Sequence, residues 1–146
     1  MLNKTIAIIN NKGGVGKTTC TAGIANALAS DGYKILLIDT DPQGNLSRLF
    51  GFEPKEDQEQ SLYYCLNNKL KNAGQNSISF IKHTDSENID ILTGDINLTA
   101  NRIEVERALA KFNTRKLSKT LLKKMFMTLF FSILVLLLEL RILRYL

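Results

Sequence analysis

Apolar and polar positions change period several times along this chain. Residues 5–9 (TIAII) form a short apolar run rich in β-branched side chains, the pattern of a strand buried on both faces. From 18 to 30, Ala22, Ala25, Ala27, Leu28 and Ala29 recur among small polar residues, which predicts a closely packed helix. Asp31 and Gly32 supply its stop. Residues 33–38 (YKILLI) then read as a second buried strand. Strand, helix and strand in that order predict a right-handed crossover and an α/β fold with a parallel sheet flanked by helices. Further on, 53–60 reads as an exposed charged loop, 61–66 as a short helix with an apolar face, and 69–76 as a polar connection. Residues 77–81 alternate as a half-exposed strand would, and 88–94 form a third core strand and a turn. Asp95 or Asn97 can cap a helix from 98 to about 112.

The stretch joining the first strand to the first helix carries the clearest chemistry. Gly13, Gly14 and Gly16 allow successive backbone N–H groups to converge on phosphate oxygens, with the amides of Val15 and Thr19 close by. The helix opening at Thr18 adds free N–H groups and the positive end of its dipole. Lys17 is placed to neutralise the β/γ-phosphates and the Thr18 hydroxyl to bind Mg²⁺. A glycine-rich turn with incidental lysines is the competing reading, and the strand and helix on either side weigh against it. Asp39 and Asp41 stand at the end of the second strand, at the carboxyl edge where ligands of such sheets bind. Two carboxylates there can orient metal-bound water and an attacking water. The string DTDPQGN is equally ordinary turn chemistry, and the residues alone leave both readings open.

The loop departs from the general pattern GxxxxGK[ST]: Asn11 holds the first glycine position, and a second lysine, Lys12, precedes the glycine pair. KGGVGKTT resembles the deviant Walker A loop of the ParA/MinD family of dimerising ATPases. ILLIDTDPQGNLS resembles the second signature of ParA-type partition ATPases, and IDILTGDINLTANRIEVERAL the stretch that leads to that family's next helix. The resemblance runs in order from 5 to 109, and Pro42 and Gln43 favour the ParA-like over the MinD-like members. It implies the N-terminal portion of a P-loop NTPase fold. It implies that residues 13–19 cradle ATP, with Mg²⁺ held by Thr18 and Asp39, and that Lys17 acts on the phosphates. Asp41 is then the water-activating residue, while Asp39 supports the metal or the loop. Lys12 would reach across a nucleotide sandwich to the partner subunit's phosphates, although a solvated lysine fits the same spacing. At the level of the whole protein the resemblance implies ATP-driven homodimerisation, non-specific DNA binding and a ParB-like stimulating partner. The implied function is partition of plasmid or chromosomal DNA in a nucleoid-associated, cytoplasmic setting.

Charge and cysteine usage change this picture little. A net charge of +5 and a pI near 9.3 are compatible with an acidic partner such as DNA. The excess gathers in Lys111, Arg115, Lys116, Lys119, Lys123 and Lys124, which read first as a solvated helix face. Cys20 and Cys65 are too few and too isolated for a disulfide scaffold or zinc site, so a reducing cytoplasm is expected. The chain reaches its first strand within a few residues of Met1, which leaves no room for a signal peptide. His83 reads as a surface residue without a catalytic role.

Beyond 109 the pattern breaks. Where the family continues with an apolar strand ending in a metal-supporting aspartate, residues 125–138 are an uncharged apolar run. A membrane anchor needs about 20 apolar residues, more than this run provides, and extending it brings in Glu139, Arg141 and Arg144. A core helix would be apolar on every side. The reading adopted is a shift of reading frame between about 119 and 124. The codons of Met125 and Met127, read one base off, encode Asp or Asn, Val, Tyr or His, and Asp, as a family-like strand would need. The expected organisation is therefore a partial NTPase domain at 1–118 and an apolar tail at 119–146 that is out of frame or foreign to the fold. A non-catalytic remnant and a tail-anchored membrane protein are the competing functional readings, with membrane attachment the less expected.

Overall fold

A computed structural model describes residues 4–10, 12–54, 58–71, 77–100 and 133–138. The first apolar run forms β1 (Lys4–Ile9), and the alanine-rich segment forms α1 (Lys17–Ser30). The second run forms β2 (Ile35–Asp39), and its loop leads into a short α2 (Asn45–Leu49). Next come α3 (Leu62–Lys71), a two-residue β3 (Lys82–His83), β4 (Ile89–Leu92) and a helical turn α4 (Asn97–Ala100). Part of the late apolar run forms β5 (Ile133–Leu138).

The five strands lie in the order β1-β5-β2-β4-β3. β2 and β4 pair in parallel, as the crossover pattern predicts. β5 lies between β1 and β2 and runs antiparallel to both, so the sheet is mixed rather than wholly parallel. The expected parallel sheet is corrected at that strand. The run has no polar alternation to set its direction, and pairing with two neighbours satisfies its backbone groups either way.

Because side chains alternate across a strand, β2 and β4 feed two cores. Ile35, Leu37, Ile89 and Ile91 pack with Ala22, Ala25 and Ala29 of α1 on one side of the sheet. Ile38 and Leu92 meet Leu62, Tyr63, Cys65, Leu66 and Phe80 on the other, where Leu98 of α4 closes the cluster. The buried side chains that α1 lends to this core are all alanine, which permits a close approach to the sheet.

Local expectations change in four places. Residues 77–80 form a 3₁₀ turn rather than a strand, with the Ile81 amide bonded to the Ile78 carbonyl at 3.0 Å, and β3 starts at Lys82. Burial of Phe80 in the α3 core is met by one tight turn as readily as by a strand. The 53–60 segment contains a 3₁₀ turn at Gln58–Gln60, and Pro54 is buried. α3 runs on to Lys71 into the segment read as a polar connection. Within the late apolar run, 133–138 is strand and not helix. The rest of the expected 98–112 helix, the basic stretch 111–124, the 118/119 boundary and the inferred frame change lie outside the described residues. No helix among the described residues is long and apolar enough to cross a membrane.

Candidate functional site

The cleft at the carboxyl edge of the sheet is built by two loops. One leaves β1 and turns into α1. Gly16 sits at the helix N-cap with φ 83°, a left-handed conformation that a side chain would strain. No side chain caps this helix end, and its first bond runs from the Cys20 amide to the Gly16 carbonyl at 2.8 Å. The amides of Lys17, Thr18 and Thr19 therefore have no partner within the helix, and these three residues line the cleft. The Lys17 ammonium donates to the Lys12 carbonyl at 3.0 Å, and the Lys12 amide donates to Asn10 Oδ1 at 2.9 Å. These bonds tie the start of the loop to its end. The Lys12 side chain is exposed.

The other loop leaves β2. Asp41 accepts the Gln43 amide on Oδ1 at 2.9 Å and the Asn45 side-chain amide on Oδ2 at 3.1 Å. Residues 13–19 and, facing them, Asp41 and Asn45 line a cleft of about 370 Å³. Residues of these types, helix-start amides, an ammonium and a hydroxyl facing a carboxylate, could hold a polyphosphate with a divalent cation.

Asp39 does not line this cleft. It is fully buried; its Oδ1 accepts the Asp41 amide at 3.0 Å, and its Oδ2 accepts the Ser47 amide at 2.9 Å and the Ser47 hydroxyl at 2.7 Å. Burial pushes its carboxyl above the ordinary carboxylate value. The bonds from Ser47 and the Asp41 amide oppose that rise, and the nearby Asp41 charge adds to it. All three of these bonds run to residues of the segment that follows β2.

Three residues of this site carried no role in the sequence reading. Asn45 holds Asp41 and lines the cleft. Ser47 holds Asp39 and in turn accepts the Gly94 amide on its hydroxyl at 3.1 Å. Gly94 passes so close that a Cβ would stand 2.5 Å from the Asp41 carbonyl and 2.9 Å from that of Asp39. The polar string after Asp41 signalled Asn45 and Ser47, whereas nothing local marks Gly94. Ser47→Ala is expected to destabilise the fold by about 1–3 kcal/mol, since a buried carboxylate oxygen and a buried amide each lose a partner. A urea midpoint unchanged from the parent chain would contradict that bonding.

The family model described as AAA domain matches residues 3–130. The sporulation initiation inhibitor protein Soj of Bacillus subtilis (strain 168) is 41% identical over 104 residues, which cover 71% of this chain and 39% of Soj. The chromosome partitioning protein ParA of Caulobacter vibrioides (strain NA1000 / CB15N) is 34% identical over 102 residues, 70% of this chain and 36% of that protein. Among solved structures, cobyrinic acid a,c-diamide synthase from Mycobacterium smegmatis with bound ADP and magnesium superposes with a TM-score of 0.54 at 31% identity. That match covers 71% of this chain and 44% of the synthase. The same enzyme with a bound ATP analogue and magnesium gives a TM-score of 0.53. The chain thus spans about two fifths of the length of Soj and less of ParA.

Proposed function

Since this chain belongs to the AAA domain family and is a ParA/Soj homologue, we propose that it binds ATP with Mg²⁺ in the cleft between residues 13–19 and Asp41. One observation carries the proposal. The free amides opening α1, the Lys17 side chain and the Asp41 carboxylate border one cleft, although they come from different strands. Magnesium nucleotide in the solved structures of the synthase supports the same chemistry. In this reading the 13–19 amides bind the phosphates and Lys17 neutralises them by exchanging its bond to the Lys12 carbonyl for a phosphate oxygen. The Thr18 hydroxyl takes the cation. Asp41, held by Asn45 and the Gln43 amide, orients water toward the terminal phosphate. Asp39 fixes the loop that carries Asp41. The cation supplies charge neutralisation for the phosphates.

ATP-driven dimerisation with Lys12 reaching a second copy, non-specific DNA binding, stimulation by a ParB-like protein and a part in DNA partition extend the proposal. They rest on the relatives. A second reading, nucleotide binding with little turnover, is favoured by one observation. The strand between β1 and β2 brings Ile133 and Leu134 level with Ile9 and Asp39, so it adds no carboxylate at the cleft edge.

Titration with Mg·ATP tests the main claim; binding that requires Mg²⁺ supports it, and a folded sample that ignores the nucleotide removes it. Asp41→Asn separates the two readings. Hydrolysis is expected to fall by about 10²-fold or more while ATP affinity changes little, because the lost charge acts on water rather than on the bound phosphates. Equal turnover in parent and variant would leave Asp41 without a catalytic part.

A further inference from the structure

The ladder from β1 runs to β5, and the ladder from β2 runs to β5 and β4. Among the described residues β1 has no ladder with β2, so the strand that carries the phosphate loop joins the sheet through residues 133–138. Six positions of β1 pair in continuous register, from Lys4 opposite Leu138 to Ile9 opposite Ile133. On the other side Ile35 stands opposite Leu138 and Asp39 opposite Leu134. One strand therefore spaces β1 from β2 by two ladder widths, roughly 9.5 Å. The loops bordering the cleft continue from the ends of those two strands. The AAA domain match ends at residue 130, before this strand begins.

We propose that the apolar segment 133–138 is an integral central strand that holds the phosphate loop in position, a positioning element for the nucleotide cleft although it supplies no ligand. This departs from the expectation that the tail is foreign to the fold. The physical reason lies in the backbone. Without a partner on this side, the β1 N–H and C=O groups would stand unpaired beside an apolar core, each at a cost comparable to a lost hydrogen bond. The run has what the slot requires. It is uncharged, contains no proline, and offers β-branched and leucine side chains for a strand flanked by neighbours on both edges.

The claim about the cleft rests on the nucleotide reading; the claim about the strand does not, and hydrogen exchange tests it on the full chain without ligand. Amides of 133–138 and of 4–9 are expected to be protected together, to the level of β2 and β4. Leu136→Pro removes a donor from the middle of the strand, opposite both Ile6 and Leu37. It is expected to lower protection of 4–9 and Mg·ATP affinity by about tenfold or more, with the β2–β4 ladder retained. Leu136→Val is expected to keep both. Should the proline variant fail to fold, the parent chain decides alone. Exchange of 133–138 at the rate of unstructured peptide beside a protected β2 overturns the proposal. So does full protection of 4–9 in a folded Leu136→Pro. Joint protection in a chain that ignores ATP sustains the strand's role and removes only the nucleotide reading.

Discussion

Replacing Lys17 with alanine should weaken Mg·ATP binding while leaving the fold intact. The Lys17 ammonium borders the cleft and donates to the carbonyl of Lys12, at the exposed start of the loop. Removing it deletes a positive charge where phosphate charge would concentrate, yet takes nothing from either apolar core. Hydrogen bonds to charged groups contribute about 1.5–3 kcal/mol, so the loss should be roughly 10- to 100-fold in affinity. Calorimetric titration gives the affinity, and a thermal melt without ligand should stay close to the parent's. Lys17→Arg is not an adequate replacement, because a planar guanidinium presents its donors differently from a compact ammonium. Unchanged affinity in Lys17→Ala would show that phosphates do not occupy this cleft.

The second large effect is expected at Gly94, which touches no ligand. A methyl group there would meet the carbonyls of Asp41 and Asp39 at 2.5 and 2.9 Å and the Asp39 carboxyl carbon at 3.2 Å. These neighbours are backbone atoms or a side chain held by Ser47, so none can swing aside as a flexible side chain would. The Asp39–Asp41 loop must move. Gly94→Ala is therefore expected to cost about 1–3 kcal/mol in a denaturant midpoint, the range for forcing volume into a close-packed site. Because the same shift displaces Asp41, ATP hydrolysis should fall further than ATP binding. A variant as stable and as active as the parent would show that the close approach to Gly94 does not control the loop.

The fold was readable wherever its determinants lie within one short stretch. The strand at 5–9, the helix stop at Asp31 and Gly32, the strands around 35–39 and 89–92, and the Asp95 cap each depend on neighbours in sequence. Asp95 Oδ1 indeed accepts the Asn97 amide at 2.7 Å. The 77–81 segment misled because the alternation of Ser77, Ile78, Ser79 and Phe80 suits a strand and a 3₁₀ turn alike, and Phe80 is buried from the turn. The 133–138 run gave no secondary-structure expectation for a related reason. Apolar on every position, it has no period to distinguish helix from strand. It pairs as a strand, antiparallel to both β1 and β2.

At the cleft the division is similar. Residue types and spacing alone placed a glycine-rich loop before a helix and two acids at the end of a strand, because backbone freedom at glycine and the free amides of a helix start are local properties. The family resemblance already divided the work of those acids, whereas their difference in burial appears only in the assembled sheet. Asp39 is buried because α2 and Gly94 close over it, through bonds in which Ser47 reaches a residue 47 positions away. Asp41 is left at the cleft with Asn45. Which carboxylate meets solvent and which is sealed in the protein depends on how distant segments pack, and no short window of residues carries that information.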